Sequence, residues 1–329
     1  MDTSRRAILA GGVAAALTLA RIMPAQASGF PERPFRLVVP YPPGGGTDAF
    51  GRRVATRLGQ ELGQSVVVEN KTGAAGAVGM LEVLRARPDG YSMVFGGAST
   101  HALYPLIFAK PQYDPVEDFM PVALAGANTV CFIARNGVAT DLPGLLAEAR
   151  RVPGRLRLGS PGAGTFVHLA GEYLLHAAGG VEMLHVPYRG NGPAMMDLLA
   201  GNIDAVADTI VSGLQHHQEG RVRMLAVASL RRSPLAPDVP TVAEMLGLPH
   251  FETSLWSLLA VRRDTPAAMI ATLHAAMRKA LEASDFQAEL RAAGIEPAPA
   301  MSPEEVGAYV QAEQAKWRPI VKATGVRME

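Results

Sequence analysis

Short apolar runs and helix-period segments alternate along almost the whole chain, and this alternation restricts the fold more than any other feature. The runs are Phe35 to Val39, Ser65 to Glu69, Tyr91 to Phe95, Val130 to Ala134, Arg157 to Ser160, Leu184 to Pro187, Ala205 to Asp208, Met224 to Ala228 and Ser257 to Val261. Between them, amphipathic segments begin near Thr47, Ala75, Leu142, Thr165, Pro193, Pro266 and Pro303. After Thr165, for example, Phe166, Leu169, Ala170, Tyr173, Leu174 and Ala177 share one helical face. Strands that alternate with helices in this way build parallel sheets with crossover helices, so the chain is α/β. At 329 residues it exceeds what one core organises, and two domains are expected.

One construction occurs twice: an apolar run, a glycine-rich turn without lysine, then a Thr opening a helix. The first copy is Leu37-Val38-Val39-Pro40-Tyr41-Pro42-Pro43-Gly44-Gly45-Gly46-Thr47-Asp48. The second, 118 residues on when Thr47 is matched to Thr165, is Leu156-Arg157-Leu158-Gly159-Ser160-Pro161-Gly162-Ala163-Gly164-Thr165. Glycine lets backbone approach a ligand, Thr caps the helix, and uncovered N–H groups at a helix start attract an anion. Two such loops on separate halves suggest a carboxylate held in a cleft.

Residues 1–27 read as an export leader. Arg5 and Arg6 precede an apolar stretch from Ala7 to Ala20, and Ala25-Gln26-Ala27 is a small-x-small cleavage site. The Arg pair fits the twin-arginine route. The stretch holds 14 residues, fewer than the roughly 18 of a membrane span. Removing this leader takes the formal charge from +1 to about −1, a balance that gives nucleic acid no footing. The sole cysteine, Cys131, sits inside an apolar run and reads as a small buried residue, without disulfide or metal.

Several further segments carry a family resemblance. They are Glu69-Asn70-Lys71 followed by Gly73-Ala74-Ala75-Gly76, Pro88-Asp89-Gly90-Tyr91, and Tyr113-Asp114-Pro115-Val116-Glu117-Asp118-Phe119. His185-Val186-Pro187-Tyr188-Arg189-Gly190, Asp238-Val239-Pro240-Thr241-Val242-Ala243-Glu244 and Lys316-Trp317 complete the set. With the first glycine loop, these make the chain resemble, from about Pro34 to Gly325, the solute-binding proteins of tripartite tricarboxylate transporters, the periplasmic Bug receptors. The resemblance implies a type II periplasmic binding protein fold, two α/β domains joined by two crossing strands with a ligand cleft between them. The first domain would span 28–127 plus 254–329 and the second 128–253, with crossings near Asn128 to Ala134 and Leu255 to Val261. From the residues alone, two consecutive domains would have been expected. The chain departs from the family pattern at Pro161, Tyr104, Leu255-Trp256-Ser257, Thr209 and Val211, the last two standing where Asn and Pro are common.

The site is then expected as follows. Gly45 and Gly46 bring N–H groups to a carboxylate, directly or through water, or else simply form a tight turn. Thr47 caps the helix, and Asp48 either accepts from the ligand or complements the helix dipole. Tyr41 closes over the ligand or packs, and Ala75 belongs to a third set of N–H donors. Ser99 and His101 lie at the carboxyl end of a strand, where ligands of open α/β sheets gather, or else His101 caps a neighbouring element. In the second half Ser160, Gly164 and Thr165 mirror the first loop, with His168 one turn on, touching the ligand or supporting the loop, or else structural. Tyr188 and Arg189 end a strand, and Arg189 either clamps a distal carboxylate or is a solvated charge. Asp208 accepts from a hydroxyl, amine or water.

The glycine turns lack the lysine and spacing of a phosphate loop, and Gly97-Ala98-Ser99-Thr100-His101 lacks the final glycine of a nucleophile elbow. His216-His217 have no partners at metal spacing and are read on an exposed turn. The expected function is therefore a non-catalytic monomeric receptor, without cofactor, that delivers a small carboxylate to a membrane permease. Docking on a sensor kinase is the alternative, and a periplasmic hydrolase using Ser99 or Ser160 a remote one.

Overall fold

The computed structural model describes residues 29–328, and the leader read at 1–27 lies outside the described residues. The first elements are β1 (Phe35–Val39), α1 (Gly46–Leu62), β2 (Val66–Asn70), α2 (Ala77–Leu84), β3 (Ser92–Gly97) and α3 (Tyr104–Ile107). The long β4 (Phe119–Arg135) leads to α4 (Leu142–Arg151), β5 (Arg157–Ser160), α5 (Phe166–Ala177), β6 (Leu184–Pro187) and α6 (Asn191–Leu199). Next come β7 (Ala205–Thr209), α7 (Ile210–Gln218), β8 (Val222–Val227), α8 (Val242–Leu246) and β9 (Ser254–Arg262). The chain ends with α9 (Ala267–Glu282), α10 (Ser284–Ala292), β10 (Ile295–Pro297) and α11 (Pro303–Thr324). Among the described residues no helix is long and apolar enough to cross a membrane.

The strands follow the order β2-β1-β3-β9-β4-β7-β5-β6, with β8 and β10 also pairing with β4. β1 runs parallel to β2 and β3, and β5 parallel to β6 and β7. The orders β2-β1-β3 and β6-β5-β7 match, so the loops after β1 and β5 hold equivalent places in the two halves, as do those after β3 and β7. The halves meet in β4. Its residues Phe119 to Thr129 pair with β9, and Val130 to Arg135 pair with β7 and β8. The chain returns where Thr253 N–H bonds Ala228 C=O (2.8 Å) and Ser254 takes up its place opposite Thr129. This is the two-lobe architecture of type II periplasmic binding proteins.

The central runs expected as strands bury their Val, Ile, Leu and Phe side chains, whereas the end strands β2 and β6 stay partly exposed, with Val67 and Leu184 among the exposed apolar residues. Several elements differ from expectation, and α3, α8, α10 and β10 were not expected at all. β4 starts at Phe119 instead of Val130, because register shifts between Pro121 and Ala123 and between Leu124 and Gly126 carry the pairing past two poor strand residues. Ala98–Leu103, for which no element was expected, is a buried π-helical turn. α7 was not expected, since Ile210-Val211 and Gly213 are weak helix formers. It forms because Gly213 lies against the Ile133 side chain, where an added Cβ would meet Cδ1 at 2.2 Å. His216 and His217 therefore lie on the last turn of α7, and not on a turn beyond it.

Candidate functional site

A cavity of about 690 Å³ opens between the halves. The loop after β1 forms one wall, the turn at Thr72 to Gly76 a second, and segments after β5, β6 and β7 the rest. Its walls are mainly apolar, with Pro42, Ala75, Ala163, Val167, Pro193 and Leu255 among them. Arg189 is the single charged residue of the lining, and its guanidinium is exposed and without an ion-pair partner among the described residues. Of the residues expected at the site, Tyr41, Gly45, Gly46, Thr47, Ala75, Ser99, Thr165, Tyr188 and Arg189 line this cavity.

The two glycine loops prove unequal. In the first, Gly45 and not Thr47 is the N-cap of α1, and no side chain caps the helix. Asp48, expected in the cleft, turns back to accept from Gly44 N–H (2.9 Å), Arg52 Nε (3.1 Å) and Asn70 Nδ2 (2.8 Å). Burial alone would raise its pKa, but these bonds outweigh it and hold the carboxyl below its usual range. Asp48 thus braces the loop from behind. The N–H groups of Gly46 and Thr47 keep no acceptor among the described residues and start a 17-residue helix at the cavity wall.

In the second loop the protein has used most of its own donors. Thr165 caps α5 by accepting from His168 N–H (3.3 Å), Gly164 N–H donates to His168 Nδ1 (3.1 Å), and Gly162 N–H reaches Ser160 Oγ (3.3 Å). Phe166 N–H donates across the cleft to Ser99 Oγ at 2.9 Å. Ser160, Gly164 and His168 accordingly lie behind the lining. Ser160 is buried against His185 Nε2 (2.7 Å), and the His185 ring stacks on His168 with centroids 3.8 Å apart. Burial and then the neighbouring His168 push the His185 pKa down to about 4, against Glu172. His185 was not singled out in the sequence, where it looked like one strand residue of a longer motif.

His101 also lies outside the lining. The π-helical turn folds its ring into the core, with Nδ1 at 2.9 Å from Thr100 Oγ1 and the edge of Phe119 nearby, and burial pushes its pKa down to about 3. Gly96 makes room for this ring, since a Cβ there would sit 2.6 Å from His101 Cε1. Asp208 is sealed at the end of β7, where its Oδ1 accepts from Thr209 N–H (2.6 Å) and from Asn191 Nδ2. Burial pushes its pKa up to about 6 against these bonds.

The remaining wall residues are shaped for contact. Gly73, Ala74, Ala75 and Gly76 all have positive φ, and Ala74 and Ala75 are the only non-glycine residues so placed among those described. Each costs about 1–2 kcal/mol, and strain of this kind collects at binding sites. Tyr188 turns its hydroxyl away to Asp197 Oδ2 (2.7 Å), leaving its ring for the cavity; burial and that carboxylate push its pKa up to about 12. Burial raises the Tyr41 phenol against bonds from Ser99 and Thr100. Asn191 and Thr209 line the cavity; Asn191 had not been picked out, and Thr209 only as a departure from the family pattern. Ser99→Ala is expected to strand the Phe166 N–H and weaken the contact between halves by about 1–2 kcal/mol. An increased radius of gyration of the ligand-free protein in solution scattering is the measurement, and an unchanged radius counts against the contact.

Two α/β halves, two strand crossings and a ligand-sized cleft define a periplasmic solute-binding protein. The model of the tripartite tricarboxylate transporter family receptor matches residues 50–326, and the chain belongs to that family. It is 37% identical over 321 residues to a UPF0065 protein in the tcbD-tcbE intergenic region of a Pseudomonas species, covering 97% of this chain and 94% of that one. Two solved Rhodopseudomonas palustris proteins are also similar. One, with adipate, has a TM-score of 0.85 and 32% identity over 91% of this chain and 99% of its own. The other, MatC with bound malate, has a TM-score of 0.81 and 33% identity over 89% and 100%.

Proposed function

We propose that this chain is exported with loss of its leader, captures a small organic carboxylate in the periplasm between lobes 28–127 plus 254–329 and 128–253, and delivers it to permease subunits of a tripartite transporter. The observation that carries this reading is the uncapped start of α1, with free N–H groups on an apolar cavity whose lone charge is the Arg189 cation. A carboxylate suits the positive end of the α1 dipole, an apolar body suits the walls, and Arg189 is free for a distal anionic group. Carboxylates bound by the two R. palustris relatives support the same class of ligand.

A thermal-shift panel of adipate, malate, citrate and benzoate tests the reading, because a ligand at 100 times its Kd stabilises by about 2.7 kcal/mol. Gly45→Val is expected to weaken binding of the best of these by at least about tenfold, the equivalent of 1.4 kcal/mol. The Gly45 backbone is extended and an added Cβ comes no closer than 3.5 Å to Pro42 C=O, so the fold tolerates the change while the side chain enters the cavity. Unchanged affinity sinks the loop assignment. Loss of growth on the ligand after gene deletion favours delivery to a permease, whereas loss of ligand-induced transcription alone favours a sensor kinase.

A further inference from the structure

The unequal glycine loops leave open what faces α1 from the other half. Thr209 is the N-cap residue of the nine-residue α7, yet its side chain does not cap that helix. The Asp208 carboxylate takes the Thr209 N–H instead. The residue is 2% exposed and lines the cavity, and its Oγ1, beside the Asp208 carboxylate, makes no well-formed hydrogen bond. It stands beside the α1 start, 3.6 Å from where a Cβ on Gly46 would be. Asn191, held by Asp208, stands next to it, its Oδ1 4.0 Å from the corresponding position on Gly45. The first N–H groups of α7, on Ile210 and Val211, have no acceptor among the described residues either.

We infer that the carboxylate clamp is formed by the facing starts of α1 and α7, with the Thr209 hydroxyl donating to the ligand carboxylate that the Gly46 and Thr47 N–H groups hold. This rests on the receptor reading above and narrows it. Recognition pairs the loop after β1 with the turn after β7, and the sequence-matched loop before α5 holds the halves together through Ser99. A buried hydroxyl without a well-formed bond is costly, and a carboxylate oxygen satisfies it. Two helix starts from different halves also converge their positive ends on one anion, which each half alone would hold weakly. Thr209 offers a single short donor and leaves room beside it. That arrangement favours a carboxylate attached to a bulky apolar body.

The test is calorimetric titration of wild type, Thr209→Val and Thr209→Ser with adipate, malate, citrate and benzoate, alongside melting curves without ligand. Thr209→Val keeps the shape and removes the hydroxyl, so it is expected to weaken the tightest ligand by about tenfold or more while the ligand-free melting temperature holds or rises. Thr209→Ser is expected to recover most of that affinity. A valine variant that binds as wild type overturns the clamp and leaves the receptor reading standing. A wild type that binds no carboxylate overturns both.

Discussion

Gly97→Ala is expected to destabilise the protein by about 3 kcal/mol or more, read as a lower denaturation midpoint at unchanged slope. A Cβ at this position would lie 2.1 Å from Trp256 C=O and 3.0 Å from Ser257 Cα, and both obstacles are backbone. No rotamer relieves the clash. β3 must leave β9 at the pair Gly97 with Ser257, or β9 must shift and drag Trp256, whose Nε1 is anchored to Glu313 Oε2 at 3.0 Å. The damage would also reach the cleft, because Gly97 opens the turn that carries Ser99 to Phe166. A variant of wild-type stability would mean that the strands can separate here at little cost.

Acidification gives the second large effect. His101 and His185 are held neutral by burial, with pKa values near 3 and 4, whereas an unfolded histidine titrates near 6.5. The unfolded chain therefore binds more protons between pH 6.5 and 4, and stability falls as pH drops through that window. The fully buried His101 removes roughly 2 kcal/mol between pH 7 and 4.5 by this linkage, and the partly exposed His185, screened by solvent, removes less. Asp208 acts in the opposite sense. Its carboxyl titrates near 6 when folded, so the native state takes up a proton first and regains roughly 2 kcal/mol over the same window. The net expectation is a loss of roughly 1–2 kcal/mol by urea denaturation at pH 4.5, and a larger loss in Asp208→Asn. A flat profile would show that the two imidazoles are hydrated.

The fold was legible where local pattern and tertiary environment agree. Runs such as Phe35 to Val39 and helices such as that after Thr165 are buried in the way their periodicity implies. Elements that depend on distant partners were not legible. α7 needs Ile133 beside Gly213, and the early half of β4 needs β9 to accommodate its Pro and Gly. At the site, glycines announced two loops, but the difference between the loops comes from Asp48 folding back and from Ser99 reaching across 67 residues of sequence. Thr209 was visible only as a departure from the family pattern. That its hydroxyl lies buried at the cavity without a well-formed bond is evident only in the structure.

The single strand β4 gives one half of its ladder to each sheet. Neither half is then a module that could be excised, exchanged with a relative's or inherited separately, because cutting it out would strip the other of its central strand. New ligand preferences in such a chain must arise by substitution at the loop tips around the cavity, with the two halves evolving as one piece.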